Sequence, residues 1–233
     1  MLAIYIKEMS QYFRSMVGYI FLTIMMLICG FLFTTGNLMS QNPDIKSFFS
    51  SLFNTLIFII PILTMRQFSE EQKLKTQQLL FTLPLSIESI VLGKFFATLS
   101  MIGIGLLITL AYPLILAYLG SSALLLTLGN YLGVVLFVSM VVAIGLYISS
   151  FTDSQVVAAI VSYGVILILW LTDSLTPYIT NQLLKKILAI FSLKSNYIEF
   201  TYGIFNPAGI LYFLTLTGLF LILTMVNIDS RRQ

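Results

Sequence analysis

The sequence predicts an all-α integral membrane protein with six transmembrane helices, and three observations lead to that prediction. Hydrophobic residues make up 58% of the chain and charged residues only 9%, whereas soluble domains carry about 25% charged residues. Long runs without any charge recur along the chain, and short polar segments separate them. Because a water-facing surface needs more polar side chains, the apolar runs must face lipid, and 233 residues allow about six spans of roughly 20 residues each.

Residue counts exclude several classes of function. The chain has no histidine and a single cysteine, Cys29. Imidazole metal sites, histidine acid–base chemistry, disulfides within the chain and thiolate metal clusters are therefore excluded. The net charge of +3 is scattered and forms no dense basic patch, so it indicates membrane orientation rather than nucleic-acid binding.

The first 14 residues predict an amphipathic helix that lies in the membrane interface ahead of the first span. Its apolar face consists of Leu2, Ile6, Met9 and Phe13. Its polar face consists of Lys7, Gln11 and Arg14. A helix packed on the cytoplasmic side of the protein itself would show the same pattern, and the two interpretations are compatible.

Polar breaks and glycine-serine segments divide the rest of the chain into spans. The uncharged run from Phe95 to Thr152 is too long for one crossing, and the segment at 120–131, rich in small residues, divides it into two. We expect residues 1–233 to form a single transmembrane domain. The predicted spans are residues 16–38, 48–66, 90–119, 132–151, 156–172 and 208–227.

The segment between the fifth and sixth spans is neither a clean span nor a clean loop. Its apolar face consists of Leu184, Ile187, Leu188 and Phe191, and its charged residues include Lys185, Lys194 and Glu199. The pattern predicts a short re-entrant or interfacial helix in the outer leaflet. A broken hairpin inside the membrane is possible only if protein covers its exposed backbone.

Counting lysines and arginines predicts the orientation. With the N-terminus inside, the inner segments hold Lys7, Arg14, Arg66, Lys73, Lys75, Lys94, Arg231 and Arg232. The outer segments hold Lys46, Lys185, Lys186 and Lys194. This excess favours cytoplasmic N- and C-termini in a bacterial inner membrane, with the polar segment 66–88 in the cytoplasm.

The interiors of the predicted spans are interpreted as uncharged. Ion-coupled carriers and intramembrane hydrolases usually place charged groups at that depth. No paired carboxylates and no nucleophile with a recognisable base are found in the sequence. If the protein transports a solute, we therefore expect its energy to come from a partner in the cytoplasm.

The polar segment 66–88 predicts a capped cytoplasmic helix. Ser69 and Gln72 have the spacing of a capping box, with Ser69 as N-cap. Glu70 and Glu71 would then lie exposed in the first turn, and Glu71 would pair with Lys75 one turn later. The helix should run from residue 70 to 83 and stop before Pro84, after which Ser86 caps the next helix with Glu88 in its first turn.

This segment is either an ordinary solvated loop or a docking element for a partner. It is longer than a connection between two spans requires, and its apolar run Leu79-Leu80-Phe81 gains nothing from exposure to water. Both features favour docking. The candidate docking residues are Arg66, Glu70, Glu71, Lys73, Lys75, Thr76, Leu79 and Leu80.

Residues 61–99 resemble the corresponding segment of ABC-2 type transporter permeases, especially gliding-motility-associated and copper-processing permeases. Those permeases carry P-x-x-T-M-R-x-F-x-E-E, T-x-x-L-L-x-T-x-P-[LV]-S and V-L-G-K runs. The matching residues are Pro61, Thr64, Met65, Arg66, Phe68, Glu70, Glu71, Thr76, Leu79, Leu80, Thr82, Pro84, Leu85, Ser86, Val91, Leu92, Gly93 and Lys94. Weaker likenesses at 145–159 and 191–207 extend the resemblance along the chain. Lys75 stands where relatives commonly have Gly, and Gln78 where Glu is common.

The resemblance implies a permease with six spans that pairs with a second permease copy, a homodimer or a paralogue, and with two ABC ATP-binding subunits. It places the helix between spans two and three in a groove of the ATP-binding subunit. ATP and Mg would be bound by that subunit, because this chain has no G-x-x-x-x-G-K-[ST] motif. We expect this chain to bind no cofactor or metal of its own, to have no enzyme activity, and to contact membrane lipid but no nucleic acid.

The predicted function is a permease subunit, of the exporter type, that couples ATP hydrolysis by its partner to substrate translocation along spans two and five. One alternative is a membrane scaffold or mechanotransmitter that is coupled to an ATPase but moves no solute. A secondary carrier is the other alternative, which uncharged spans disfavour.

Overall fold

The computed structural model describes residues 1–41, 44–76, 85–118, 124–175 and 192–231. All regular structure in these residues is helical, as the sequence predicted, with no strand among them. The α-helices are α1 Leu2–Arg14, α2 Met16–Phe33, α3 Lys46–Thr64, α4 Arg66–Lys73, α5 Ile87–Thr109, α6 Ala111–Tyr118, α7 Leu124–Ser149, α8 Gln155–Leu175, α9 Leu193–Thr201 and α10 Pro207–Ser230. A π-helical stretch, Thr34–Met39, extends α2.

Six helical segments within the described residues are long and apolar enough to cross a membrane, which confirms the predicted number. They are Met16–Met39, Lys46–Lys73, Ile87–Tyr118, Leu126–Ser149, Gln155–Thr172 and Pro207–Ser230. The fourth begins earlier than predicted, because α7 begins at Leu124 rather than at residue 132. Gly129 and Gly133 lie inside α7, where a Cβ atom would come within 3.0 Å of Gly203 and 2.7 Å of Phe200, respectively. Gly129, which the sequence pattern places in a break between spans, therefore serves close helix packing.

Helix α7 forms the centre of the bundle. It packs against α3, α5, α8, α9 and α10, and its residues Phe137, Val141 and Ile144 are fully buried. The outer helices keep large apolar side chains exposed, as at Leu27 of α2 and Ile168 of α8. Exposed apolar surface on uncharged helices of this length is the surface that lipid covers.

Helix α1 packs through a face that differs from both faces predicted from its sequence. Ile4, Glu8 and Tyr12 are buried at successive turns, and a Cβ at Gly93 of α5 would lie 2.8 Å from Ile4 Cγ2. Part of the predicted apolar face, including Leu2, stays exposed at 71%. The helix thus has a buried third face that contains a carboxylate.

Helix α9 lies within the segment for which the sequence predicted an outer helix. Ser192 caps it by accepting a hydrogen bond from Ser195 N at 3.0 Å. Tyr197 stacks on Phe53 of α3 with ring centroids 4.3 Å apart, and Phe200 is fully buried, so aromatic contacts fix α9 against the bundle. The four residues of the predicted apolar face, at 184–191, lie outside the described residues.

Helices α3 and α7 approach closely at Gly145. A Cβ at this position would lie 2.1 Å from the Thr64 Oγ1 atom. Thr64 and the adjoining α7 residue Ile144 are themselves fully buried. Only glycine therefore permits this separation of the two helices.

We expect Gly145→Ala to lower the thermal stability of the purified protein, because overpacking costs about 1–3 kcal/mol. Gly164→Ala is the matched control, since a Cβ there meets nothing within 4 Å and alanine favours a helix more than glycine does. Melting temperatures in detergent, read by size-exclusion chromatography after heating, measure the difference. Equal stability of the two variants would contradict the close contact.

Candidate functional site

Lys94 is a buried charge at the centre of the candidate site. It lies about two turns into α5, and its side chain is 1% exposed. The ammonium donates to the Gln67 carbonyl oxygen at 2.7 Å and to Glu8 Oε1 at 3.0 Å, and lies 3.0 Å from Glu71 Oε1. Since an ammonium has three N–H donors, these three acceptors satisfy it.

Lys7 completes an alternating arrangement of two lysines and two glutamates. Its ammonium lies 2.8 Å from Glu71 Oε1 and 3.3 Å from Glu8 Oε1. Burial by itself lowers the pKa of Lys7, but the hydrogen bond and charge of Glu71, together with Glu8, outweigh burial and raise that pKa above its ordinary value. Lys7 therefore stays charged at neutral pH, and the two positive charges balance the two negative charges. We call Lys7, Glu8, Glu71 and Lys94 the ionic cluster.

A hydrogen-bonded layer of neutral side chains lies beside the ionic cluster. Gln67 Nε2 donates to the Tyr12 hydroxyl and, at 2.9 Å, to Thr98 Oγ1. Thr98 in turn donates to the Lys94 carbonyl oxygen at 2.9 Å. All of these side chains are buried, so α1, α4 and α5 are joined by bonds that water does not compete for.

Helix α4 is capped by a residue of α7 rather than by one of its own. Ser149 Oγ accepts from the backbone N–H groups of Phe68 and Ser69, both at 3.1 Å, and donates to the Met65 carbonyl oxygen at 3.1 Å. Helices begin with N–H groups that lack partners within the helix. The Ser149 hydroxyl, 80 residues further along the chain than Ser69, supplies the hydrogen-bond acceptor that a local N-cap side chain would otherwise provide.

Further bonds tie α4 and α7 to the end of α10. Gln72 Nε2 donates to the Ser150 carbonyl oxygen at 2.8 Å. Asn227 of α10 donates to the same oxygen at 3.2 Å and to Ser150 Oγ at 2.7 Å. Helix α4 is thus bonded directly to α1, α5 and α7 within two turns, and Ser150, which follows α7, links it to α10.

A cavity of about 360 Å³ adjoins α4 on the side of α1. Its lining includes Arg66, Glu70, Glu71, Leu74 and Lys94. Side chains in close-packed interiors have little room to move, whereas this cavity leaves space for α4 to shift relative to α1.

The structure corrects the start of the helix that the sequence predicted to be cytoplasmic. Helix α4 begins at Arg66, so Ser69 is an interior residue whose hydroxyl donates to the Met65 carbonyl oxygen. The capping-box prediction is wrong, because Ser149 occupies the capping position in space. Glu70 bonds Arg66 through both oxygens, at 2.9 and 3.0 Å. Its predicted first-turn placement is also wrong.

The structure also corrects the predicted end of this helix, which is at Lys73 rather than at residue 83. Lys75 has a φ of 56°, and the Lys75 and Thr76 N–H groups bond the carbonyl oxygens of Gln72 and Glu71 at 3.0 Å each. This is a Schellman motif, in which the left-handed position favours glycine. The predicted Glu71–Lys75 pair is therefore not formed, because Glu71 turns inward to the ionic cluster.

The candidate docking residues divide into three groups. Glu71 is largely buried in the ionic cluster, and Arg66 and Glu70 pair with each other while partly exposed. Lys73, Lys75 and Thr76 are exposed. Leu79 and Leu80 lie outside the described residues.

The structure brings in four residues that were not among the candidate docking residues, Glu8, Gln67, Lys94 and Ser149. Lys94 lies inside the third predicted span, so the interpretation of uncharged span interiors is wrong at this position. The signal for Glu8 is its helical spacing from Ile4 and Tyr12, which places it on their face. Gln67 and Ser149 carry no local signal, because their partners are distant in sequence.

Ser86, as predicted, caps α5 by accepting from Ser89 N at 3.3 Å, with Glu88 in the first turn.

A comparison with protein families finds a match along nearly the whole chain. Residues 2–227 match the model described as ABC-2 family transporter protein. The chain belongs to the ABC-2 transporter family. A comparison with curated proteins finds no match. With its six apolar helices, this ABC-2 family member is a multi-pass membrane protein and a permease. Its assignment to the gliding-motility and copper-processing subset stays a prediction.

We expect Lys94→Met to destabilise the ABC-2 bundle by about 3–5 kcal/mol, because it leaves two buried carboxylates facing one lysine. The double variant Glu8→Gln, Lys94→Met restores charge balance and should recover part of the loss. Melting temperatures of the purified variants test both expectations. Lys73→Met, at an exposed position, is the control, and a Lys94→Met variant as stable as this control would contradict the role of the cluster.

Proposed function

We propose that this protein is the permease subunit of an ATP-driven exporter, in which an ABC ATP-binding subunit docks at the end of α4. The observation that carries the proposal is the direct attachment of α4 to α1, α5 and α7. Ser149 joins its first turn to α7, and the ionic cluster joins its last turn to α1 and α5. A force applied at Lys73 therefore reaches the membrane-spanning helices through these side-chain bonds.

The docking surface comprises the exposed residues Lys73, Lys75 and Thr76, with Leu79 and Leu80 following in the sequence. Arg66 and Glu70 stiffen the helix through their bidentate pair. Glu71 has a different role in this proposal. It connects the docking helix to Lys7 and Lys94 and transmits the motion of α4 to the bundle.

The assembled transporter would hold two copies of the ATP-binding subunit and a second permease copy, either identical or paralogous. Large side chains of α3, Phe58 and Ile62, are 54% and 51% exposed. Tyr163 of α8 donates to the Phe58 carbonyl oxygen. This apolar face of the second and fifth spans supports a position for the second copy and for the substrate path between the copies.

Binding of ATP and Mg by the partner subunits would bring them together and move α4. Because the cavity beside α4 leaves room for that motion, α1 and α5 would be displaced relative to α7. We place the α4 end of the bundle in the cytoplasm of a bacterial cell, with both termini on that side, from the distribution of lysine and arginine. The exposed Leu2 and Ile6 of α1 support its insertion in the membrane interface.

We expect the double variant Lys73→Glu, Lys75→Glu to reduce co-purification of the ATP-binding subunit at least several-fold, because charge reversal at an interface opposes association. Lys46→Glu, at the other end of α3, is the control and should co-purify normally. Co-expression with the neighbouring ATP-binding subunit and capture through a tag on the permease measures both. Undiminished capture would contradict the docking surface. A separate measurement, ATP-dependent flux in reconstituted vesicles, distinguishes a transporter, which shows flux, from a scaffold, which shows none.

We expect single cysteines to report opposite sides of the membrane. In a Cys29→Ser background, Ser40→Cys should react with an impermeant maleimide added to intact cells. Lys73→Cys should react only after permeabilisation. Both positions are exposed, so a lack of reaction reflects the membrane and not burial, and the reverse pattern would overturn the orientation.

A further inference from the structure

A second pocket lies far from the ionic cluster, between the start of α3 and α9. Its volume is about 290 Å³. Lys46 begins α3 and Thr64 ends it, and a rise of 1.5 Å per residue separates these residues by roughly 27 Å. The pocket and α4 are therefore at opposite ends of the second span.

The side chains around this pocket are donors and cations. Lys46 and Lys194 contribute ammonium groups, and Ser47, Ser50 and Asn54 contribute hydroxyl and amide groups. None of the described residues that line it is a carboxylate. This composition favours an anion.

Lys46 is held differently from the lysines of the ionic cluster. Its ammonium lies 4.6 Å from the centre of the Tyr202 ring. The one carboxylate near it within the described residues is Asp44, whose Oδ2 is 4.0 Å away and whose side chain is 49% exposed. Lys7 and Lys94, in contrast, each have two carboxylates within 3.3 Å. The charge of Lys46 is thus oriented by an aromatic ring but only weakly compensated.

Apolar side chains surround the mouth of the pocket. Ile198 and Tyr202 line the pocket and are 42% and 58% exposed. The pocket adjoins the first residue of a membrane-spanning segment, which is the depth of lipid headgroups. Basic pockets between transmembrane helices bind anionic headgroups on the cytoplasmic or matrix side of membranes, and the two ammonium groups at this opposite end of the span offer a headgroup the same charge. Exposed apolar side chains accommodate the acyl chains beside them.

We propose that this pocket binds the phosphate headgroup of an anionic membrane phospholipid. Lys46 and Lys194 hold the phosphate oxygens, and Ser47, Ser50 and Asn54 supply hydrogen bonds. The net charge of the lipid decides which phospholipid binds, because the choline of a zwitterionic lipid would bring a further positive charge towards the two lysines. Binding requires neither nucleotide nor a partner subunit, so its test is independent of the proposed transport.

The single tryptophan of the chain provides the readout. Trp170 Nε1 donates to Asn54 Oδ1 at 3.3 Å, and Asn54 lines the pocket. The purified protein in a neutral detergent is titrated with short-chain phosphatidylglycerol below its micellar concentration. We expect a saturable change in tryptophan emission, with no such change for the matching phosphatidylcholine or for inorganic phosphate at equal concentrations. An equal response to phosphatidylcholine, or to inorganic phosphate, would overturn the proposal.

Variants connect the signal to the pocket. Lys46→Gln with Lys194→Gln should raise the Kd for phosphatidylglycerol roughly 30-fold, the loss expected for two lysines close to an anionic headgroup. Lys46→Arg with Lys194→Arg retains both charges and should bind like the native protein. Lys73→Gln with Lys75→Gln removes equal charge at the α4 end and should leave the Kd unchanged. Binding that is equally weakened by the glutamine pairs at both ends, or an unchanged Kd in the first variant, would show that the lipid does not bind in this pocket.

Discussion

The ammonium of Lys94 is almost completely removed from solvent, and its three acceptors come from two other helices. An unpaired charge at such a depth is strongly unfavourable, so α1 must supply Glu8, and α4 must supply Glu71 and the Gln67 carbonyl oxygen. The positions of α1, α4 and α5 are therefore mutually dependent. A change in any one of them is resisted by the loss of ion pairs in the others.

The central helix α7 extends this dependence to the rest of the bundle. Ser149 caps α4 from outside, and Ser150 accepts from both Gln72 and Asn227. One turn before Ser149, Gly145 allows α7 to approach the end of α3. Close packing and hydrogen bonding thus coincide at the first turn of α4 and hold this part of the bundle together.

The two ends of the second span use lysine in opposite ways. At the α4 end, two lysines and two glutamates neutralise each other, with Lys94 buried and Lys7 at the surface. At the other end, Lys46 lies over an aromatic ring, and no carboxylate lines the pocket among the described residues. The first arrangement is suited to holding helices together, and the second to binding an anion from outside the chain.

Lys75 illustrates how a local conformation can conflict with the residue that occupies it. Its left-handed backbone closes the Schellman motif at the end of α4, and this conformation costs roughly 1–2 kcal/mol for a residue other than glycine. The family resemblance of this segment implies glycine here, which is the residue that the left-handed backbone favours. Lys75 is thus an exposed cation obtained at some cost in stability.

Composition and periodicity by themselves determined the fold class, the number of spans and the cap of α5 by Ser86, because lipid requires long apolar helices and capping acts within a few residues. The same local rules failed at Ser69 and Glu71. Ser149 and Lys94 satisfy the groups around them from distant positions in the sequence, and no local pattern reveals such partners. Only the tertiary structure decided that Glu8, Glu71 and Lys94 meet, because a buried charge selects its partners by proximity in space.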